Sequence, residues 1–112
     1  MDDPMATYLV QVLMGPYELV YGSAGDVQLS SAVLTEDRDE VLPYLQGVGD
    51  MVTWFEQWFG EYPFDSYGIA VADSMPGLAM EQQTRSLFPR TLFSLFDEPD
   101  RQSFLAHELG HQ

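Results

Sequence analysis

The pattern most able to do chemistry lies at the end of the chain, in Phe104-Leu-Ala-His-Glu-Leu-Gly-His-Gln112. His107 and His111 are the two histidines of the 112 residues. On an α-helix, positions i and i+4 share one face about 6 Å apart along the axis, so both imidazoles can reach one metal ion. Glu108 is offset by one residue and can face a water molecule beside the metal. This H-E-x-x-H spacing predicts a zinc site with His107 and His111 as ligands and Glu108 as general base of a hydrolase.

The same spacing also arises by chance on acidic helices, where it is only an exposed pair of histidines beside an acid. Two observations favour the metal site. Both histidines of the chain fall in the pattern, and the preceding Phe104, Leu105 and Ala106 predict a buried helix. Because cysteine is absent, any zinc ligand must be His, Asp or Glu.

A second candidate site lies upstream, in Pro76-Gly-Leu-Ala-Met-Glu-Gln-Gln-Thr84. We expect Leu78–Thr84 to form a short edge strand, whose free N–H and C=O groups can pair with an extended peptide. Glu81 at the end of such a strand can pair with the α-ammonium group of that peptide. Taken alone, however, a glutamate at this place is typical of a solvated surface charge.

Together the two stretches resemble the aminopeptidase N family of gluzincin zinc peptidases, which carries G-A-M-E-N followed by H-E-x-x-H on a helix. Ala79-Met80-Glu81 matches A-M-E, and 25 residues lie between Glu81 and His107. Leu78 and Gln82 stand where the family has Gly and Asn, and Gly77 lies one place earlier. Two further segments are similar to the family's opening strand and to its helix-to-strand connection: Met5–Val10 and Phe59–Phe64.

The resemblance implies a role for each matched position. His107 and His111 would bind zinc, Glu108 would act as general base, and Glu81 would bind the amino group of the substrate. The backbone alongside the peptide would be that of Gly77, Leu78, Ala79 and Met80. In the family the third zinc ligand is a glutamate on a later helix, and a tyrosine beyond it stabilises the oxyanion.

Neither of those two positions occurs in the 112 residues, and His111 is followed by one residue, so we expect this end of the helix to fray. We therefore expect residues 1–112 to be the N-terminal lobe of a metallopeptidase catalytic domain, with weak zinc binding and no activity alone. The parent protein would be a zinc aminopeptidase that cleaves N-terminal residues from peptides. Two other functions remain open: a non-catalytic peptide-binding module that uses the Leu78–Thr84 strand, and a structural domain with a coincidental histidine pair.

The remaining sequence predicts the elements that position these residues. Residues typical of strands predict a central strand at Thr7–Met14, then strands at Tyr17–Tyr21, Val27–Leu34 and Ser66–Ala72. Within Ser66–Ala72, the small residues Gly68, Ala70 and Ala72 should lie under a closely packed helix.

Two helices are predicted. Apolar residues spaced by four and three from Val41 to Phe59 predict a long helix with a continuous buried stripe, which ends at Gly60. Asp37 and Glu40 have the spacing of a capping box at its start. Asp97 or Glu98 should cap the last helix, and Thr91–Phe96 forms a further short element.

These elements predict an α+β fold, in which a small mixed β-sheet carries the long helix and the H-E-x-x-H helix lies beside it. This arrangement resembles the upper lobe of thermolysin-like catalytic domains. In such domains a helical lobe covers the apolar faces of the last helix. Left exposed, those faces would favour a dimer or a swapped assembly.

Charge and hydropathy limit the partners. The chain has eighteen acidic residues, four arginines and no lysine, which gives a net charge of −14. Because phosphate binding requires a basic surface, we expect no nucleic-acid partner. No apolar run is long enough for a transmembrane helix, and Met1-Asp-Asp-Pro4 does not begin a signal peptide. The compartment stays open, with the cytoplasm favoured.

Overall fold

Two antiparallel strands form one side of the sheet. They are β1 (Tyr17–Ala24) and β2 (Val27–Leu34). The structure is a computed structural model that describes residues 4–73 and 78–112. The two-residue turn between them contains Gly25 at φ +57°, as turns that match the twist of such strands require. The range of β2 was predicted to the residue, and β1 extends three residues beyond its predicted end.

Three shorter strands complete the sheet: β3 (Ser66–Tyr67), β4 (Ile69–Ala72) and β5 (Ser86–Pro89). The order is β1-β2-β4-β5, with β3 also paired to β2. The hairpin β1-β2 is antiparallel, and β2-β3, β2-β4 and β4-β5 are parallel. Three helices accompany it: α1 (Arg38–Phe59), α2 (Arg90–Leu95) and α3 (Glu98–Gly110). The predicted α+β fold with a mixed sheet, a long helix and a C-terminal helix is confirmed.

The predicted strand Ser66–Ala72 is interrupted at Gly68. A Cβ atom there would overlap the Ser30 carbonyl of β2, so the close approach that requires glycine is to a neighbouring strand. At Gly68 itself, the residue is therefore required by a strand and not by a helix; the expected helix over the face of Gly68, Ala70 and Ala72 stays a prediction. The residues of the opposite face, Tyr67, Ile69 and Val71, belong to the apolar core.

The predicted central strand at Thr7–Met14 is also wrong. Thr7–Leu9 forms a single 3₁₀ turn, and residues 10–14 belong to no strand. A β-forming sequence becomes a strand only where a half-buried surface receives it. Within the described residues no strand pairs with this segment, and Val12 and Met14 on one side of it are 79% and 91% exposed.

Helix α1 buries its first three turns more than its last. Val41, Leu45, Val48 and Val52 lie in the core, whereas Phe59 at the end is 78% exposed, so the predicted stripe is not continuous. A 3₁₀ turn at Thr35–Asp37 precedes the helix. The predicted capping box is absent, because the Asp37 carboxylate accepts a hydrogen bond from Arg90 at 2.6 Å instead of capping the helix. Gly60 ends the helix at φ +96°, as predicted.

Helix α3 starts as the sequence predicts. The Asp97 side chain accepts a hydrogen bond from the Asp100 N–H, and Pro99 lies in the first turn. Leu105 and Leu109 are buried in the core that α1 shares, so the apolar face of this helix is largely covered. No helix of the described ranges is long and apolar enough to cross a membrane.

Residues 78–84 do not form the regular strand predicted for them. One antiparallel bridge joins Met80 to Leu87 of β5, with N···O distances of 2.9 and 2.8 Å. The segment nevertheless lies at the sheet edge beyond β5, where the prediction placed it. Gly77, one of the predicted substrate-binding residues, lies outside the described residues.

Candidate functional site

The packing of α3 determines which of its residues face solvent. Leu105 and Leu109, one turn apart, point into the core. His107 lies two positions after the first of these leucines and His111 two after the second, so both imidazoles lie away from the core and are exposed. Glu108 lies next to the buried side of the helix and is 6% exposed.

The two histidines converge. Their Nε2 atoms are 3.1 Å apart, and the ring planes are nearly perpendicular at 79°. Two nitrogens bound to one tetrahedral zinc, each about 2.05 Å from it, stand about 3.3 Å apart. The pair therefore fits two positions of a zinc site, and imidazole nitrogen is a donor that zinc prefers. Among the described residues no group of three His, Cys, Asp or Glu side chains could hold a metal, so the pair is an incomplete ligand set there.

Glu108 occupies a desolvated position beside this pair. Burial raises the pKa of its carboxyl group, the Glu81 carboxylate also raises it, and the two histidines oppose the rise. A carboxylate is a stronger base when the pKa of its acid form is raised towards neutrality, so it accepts a proton from water more readily. Its position on α3 thus suits the predicted general base.

Two buried hydroxyl groups lie near Glu108. The Tyr67 and Ser86 side-chain oxygens are 3.0 Å apart, and both residues are almost fully buried. Burial raises the pKa of Tyr67 to about 12; the Ser86 hydrogen bond opposes this rise and the charge of Glu108 adds to it. This pair was not predicted from the sequence, because serine and tyrosine on two short strands give no local signal.

Glu81 reaches the same cleft as the histidines. An open cleft of about 400 Å³ is lined by His107, Glu108 and His111 on one side and by Leu78, Ala79 and Glu81 on the other, with Ser103 and Phe104 between them. Twenty-five residues of chain separate Glu81 from His107, and β5 with α2 brings them back together. The structure thus unites all described residues predicted for the site except Met80, which does not line the cleft.

Met80 pairs with the sheet and thereby orients the backbone on either side of it. Its N–H and C=O both bond to Leu87, and neighbouring residues of an extended segment direct their backbone groups to the opposite side. Among the described residues, the N–H groups of Ala79 and Glu81 have no backbone partner. As far as the described residues show, an extended peptide in the cleft can pair with these two groups.

Gln112 connects the two motifs. Its Oε1 accepts a hydrogen bond from the Thr84 N–H at 2.8 Å and lies 3.4 Å from the Tyr62 hydroxyl. Its Nε2 lies 3.4 Å from the carbonyl oxygens of both Glu81 and Gln82. The Gln112 N–H also bonds to the Leu109 carbonyl, so the end of α3 for which fraying is expected has hydrogen bonds to both the helix and the loop.

No family model and no curated protein matches the chain.

Proposed function

We propose that the chain is the N-terminal lobe of a zinc aminopeptidase catalytic domain, which removes N-terminal residues from peptides. The observation that carries the proposal is the shared cleft, because it joins a convergent histidine pair, a desolvated glutamate and a second carboxylate. A coincidental histidine pair would not require Glu81 to return to the same place. The resemblance to the aminopeptidase N family supports the same assignment.

In this proposal each residue has one task. His107 and His111, together with a ligand from outside the described residues, would hold zinc, which when bound would supply the Lewis acidity that makes water nucleophilic near neutral pH. Glu108 accepts the proton of the attacking water and returns it to the amine that leaves. Glu81 binds the α-ammonium of the substrate, while the N–H groups of Ala79 and Glu81 pair with its main chain.

The test compares two lengths of the protein on an aminoacyl chromogenic substrate. We expect no turnover by the 112 residues, and turnover by a form that continues a few hundred residues beyond Gln112. In that longer form, Glu108→Gln should lower kcat by about 10²–10⁴-fold, the usual contribution of a general base. Glu98→Gln, an exposed acid at the start of the same helix, is the matched control and should leave kcat unchanged.

A peptide-binding module without catalysis is the second candidate, and the free N–H groups of Ala79 and Glu81 favour it equally. It predicts that peptides with a free N-terminus bind the longer form but are not cleaved. Turnover that Glu108→Gln abolishes would exclude it.

Self-association belongs to the same proposal, through a surface other than the one expected. Three exposed aromatic residues lie together at the end of α1: Trp54, Trp58 and Phe59. Trp54 contacts Trp58, and both Trp54 and Phe59 contact Phe55. We expect a concentration-dependent dimer through this surface at physiological salt, which screens the repulsion between two chains of charge −14. Light scattering that gives a monomer at millimolar concentration would contradict it.

A further inference from the structure

The Gln112 carboxamide contacts the segment that carries Glu81 at three backbone atoms. These are the Thr84 nitrogen at 2.8 Å and the Glu81 and Gln82 carbonyl oxygens, both at 3.4 Å. The one side chain therefore satisfies a donor and two acceptors on consecutive parts of the loop. A loop segment that lacks such contacts opens more readily, because few bonds hold its backbone.

The loop itself needs this support. Thr84 has φ +66°, a conformation that a β-branched residue rarely adopts, and it closes a turn in which the Arg85 N–H bonds to the Gln82 carbonyl. The Gln82 side chain bonds in the other direction, to the Leu87 N–H at 3.1 Å, and so joins the turn to β5. The turn is thus bonded to two elements: to the end of α3 through Gln112, and to β5 through the Gln82 side chain.

Gln112 is also fixed relative to the histidines. It directly follows His111, and its own N–H bonds to the Leu109 carbonyl at 3.0 Å. The carboxamide therefore extends from the end of α3, directly after the turn that carries His107 and His111. A shift of the loop relative to α3 would break the contacts of this side chain.

We propose that Gln112 is a positioning residue that sets the distance from the Glu81 carboxylate to the histidine pair, and thereby selects peptides by their α-ammonium group. This inference rests on the proposed function, because it assumes that Glu81 binds the amine and the histidines hold the metal. Gln112 contacts neither substrate nor metal and acts through the loop.

The experiment uses the longer form that continues beyond Gln112, loaded with zinc, and two probes. Leucine hydroxamate carries an α-ammonium group, and 4-methylpentanohydroxamic acid is its counterpart without one. The ratio of their dissociation constants reports amine recognition alone, and we expect the wild-type chain to prefer the amine probe about tenfold, as a charge-assisted pair allows. Hydrogen exchange at the Thr84 amide reports the loop contact independently of either probe.

Two variants separate positioning from folding. Gln112→Met keeps the length of the side chain and removes all its hydrogen bonds, so the preference for the amine probe should disappear while the affinity for the other probe stays the same. Thr84 exchange should become about tenfold faster, with exchange at Val33 in the core unchanged. Gln112→Glu retains the acceptor for Thr84 but puts a carboxylate against two carbonyl oxygens, so exchange should stay slow while the preference falls. Gln57→Met, on the exposed side of α1, is the control.

The outcomes are distinct. A preference that survives in both Gln112 variants, or an equal loss of affinity for both probes, overturns this inference alone. A wild-type chain that does not distinguish the probes overturns the role of Glu81 in the proposed function, and this inference with it.

Discussion

The Nε2 atoms of His107 and His111 stand 3.1 Å apart on the exposed face of α3, close to the separation that a shared tetrahedral zinc imposes. Two imidazoles without a third protein ligand hold zinc weakly, because a catalytic zinc usually has three. We therefore expect the 112-residue chain to lose zinc on dialysis. His107→Gln or His111→Gln should abolish the residual zinc binding measured by titration calorimetry, and stoichiometric zinc after dialysis of the wild-type chain would contradict the prediction.

Glu81 should determine which substrates the longer form accepts. A carboxylate that pairs with an ammonium group contributes about 1.5–3 kcal/mol, so Glu81→Gln should lower kcat/KM for free N-terminal substrates about 10- to 100-fold. The wild-type protein should not cleave the same substrates once they are N-acetylated. Glu61→Gln, an exposed acid away from the cleft, should have no effect, and an equal loss for this control would show that only net charge matters.

The sequence predicts the parts of the site that depend on local spacing. His107, Glu108 and His111 lie within five residues of one helix, so helical geometry alone places them. Glu81 could be assigned only through the family resemblance, because its return to the cleft depends on the parallel pairing of β4 with β5. Gln112 was missed entirely, since a polar residue after a helix has no pattern that indicates its distant partners.

The errors in the fold have a related cause. The sequence of residues 7–14 has strong β-propensity, but a strand needs a partner that local residues do not specify. Strand β5 was missed for the opposite reason, since Ser86-Leu-Phe-Pro89 is short and ends in proline. The predicted capping box is wrong because the Asp37 carboxylate accepts a hydrogen bond from Arg90, 53 residues away.

Tyr67 should make the folded chain sensitive to alkaline pH. Its pKa is raised to about 12 by burial, against 10.0 without it, so above pH 10 the unfolded chain loses this proton while the folded chain keeps it. The contribution of Tyr67 to the free energy of unfolding should therefore be fully retained below pH 10 and be lost between pH 10 and about 12, by up to about 1.4 kcal/mol per pH unit. Burial also raises the pKa of Tyr62, which adds to the total fall.

Tyr67→Phe should reduce this fall and, at pH 7, cost about 1–3 kcal/mol, because the buried Ser86 hydroxyl loses its partner. Urea unfolding at pH 7, 9 and 11 measures both effects. Tyr21→Phe is the control, since Tyr21 is exposed. An equal pH dependence in Tyr67→Phe and the wild-type chain would show that another group is responsible.

Gly68 should be the most sensitive glycine of the sheet, because any Cβ atom there meets the Ser30 carbonyl, which belongs to a strand and cannot move aside. Gly68→Ala should lower the free energy of unfolding by about 3 kcal/mol or more, the range of substitutions that force a strand apart. Gly47→Ala is the matched control: nothing lies within 4 Å of its Cβ position, and alanine favours the interior of α1. We expect the control to stabilise the chain by up to about 1 kcal/mol. Urea unfolding curves in which both variants shift alike would mean that β3 and β4 do not approach β2 as closely as the Gly68 backbone requires.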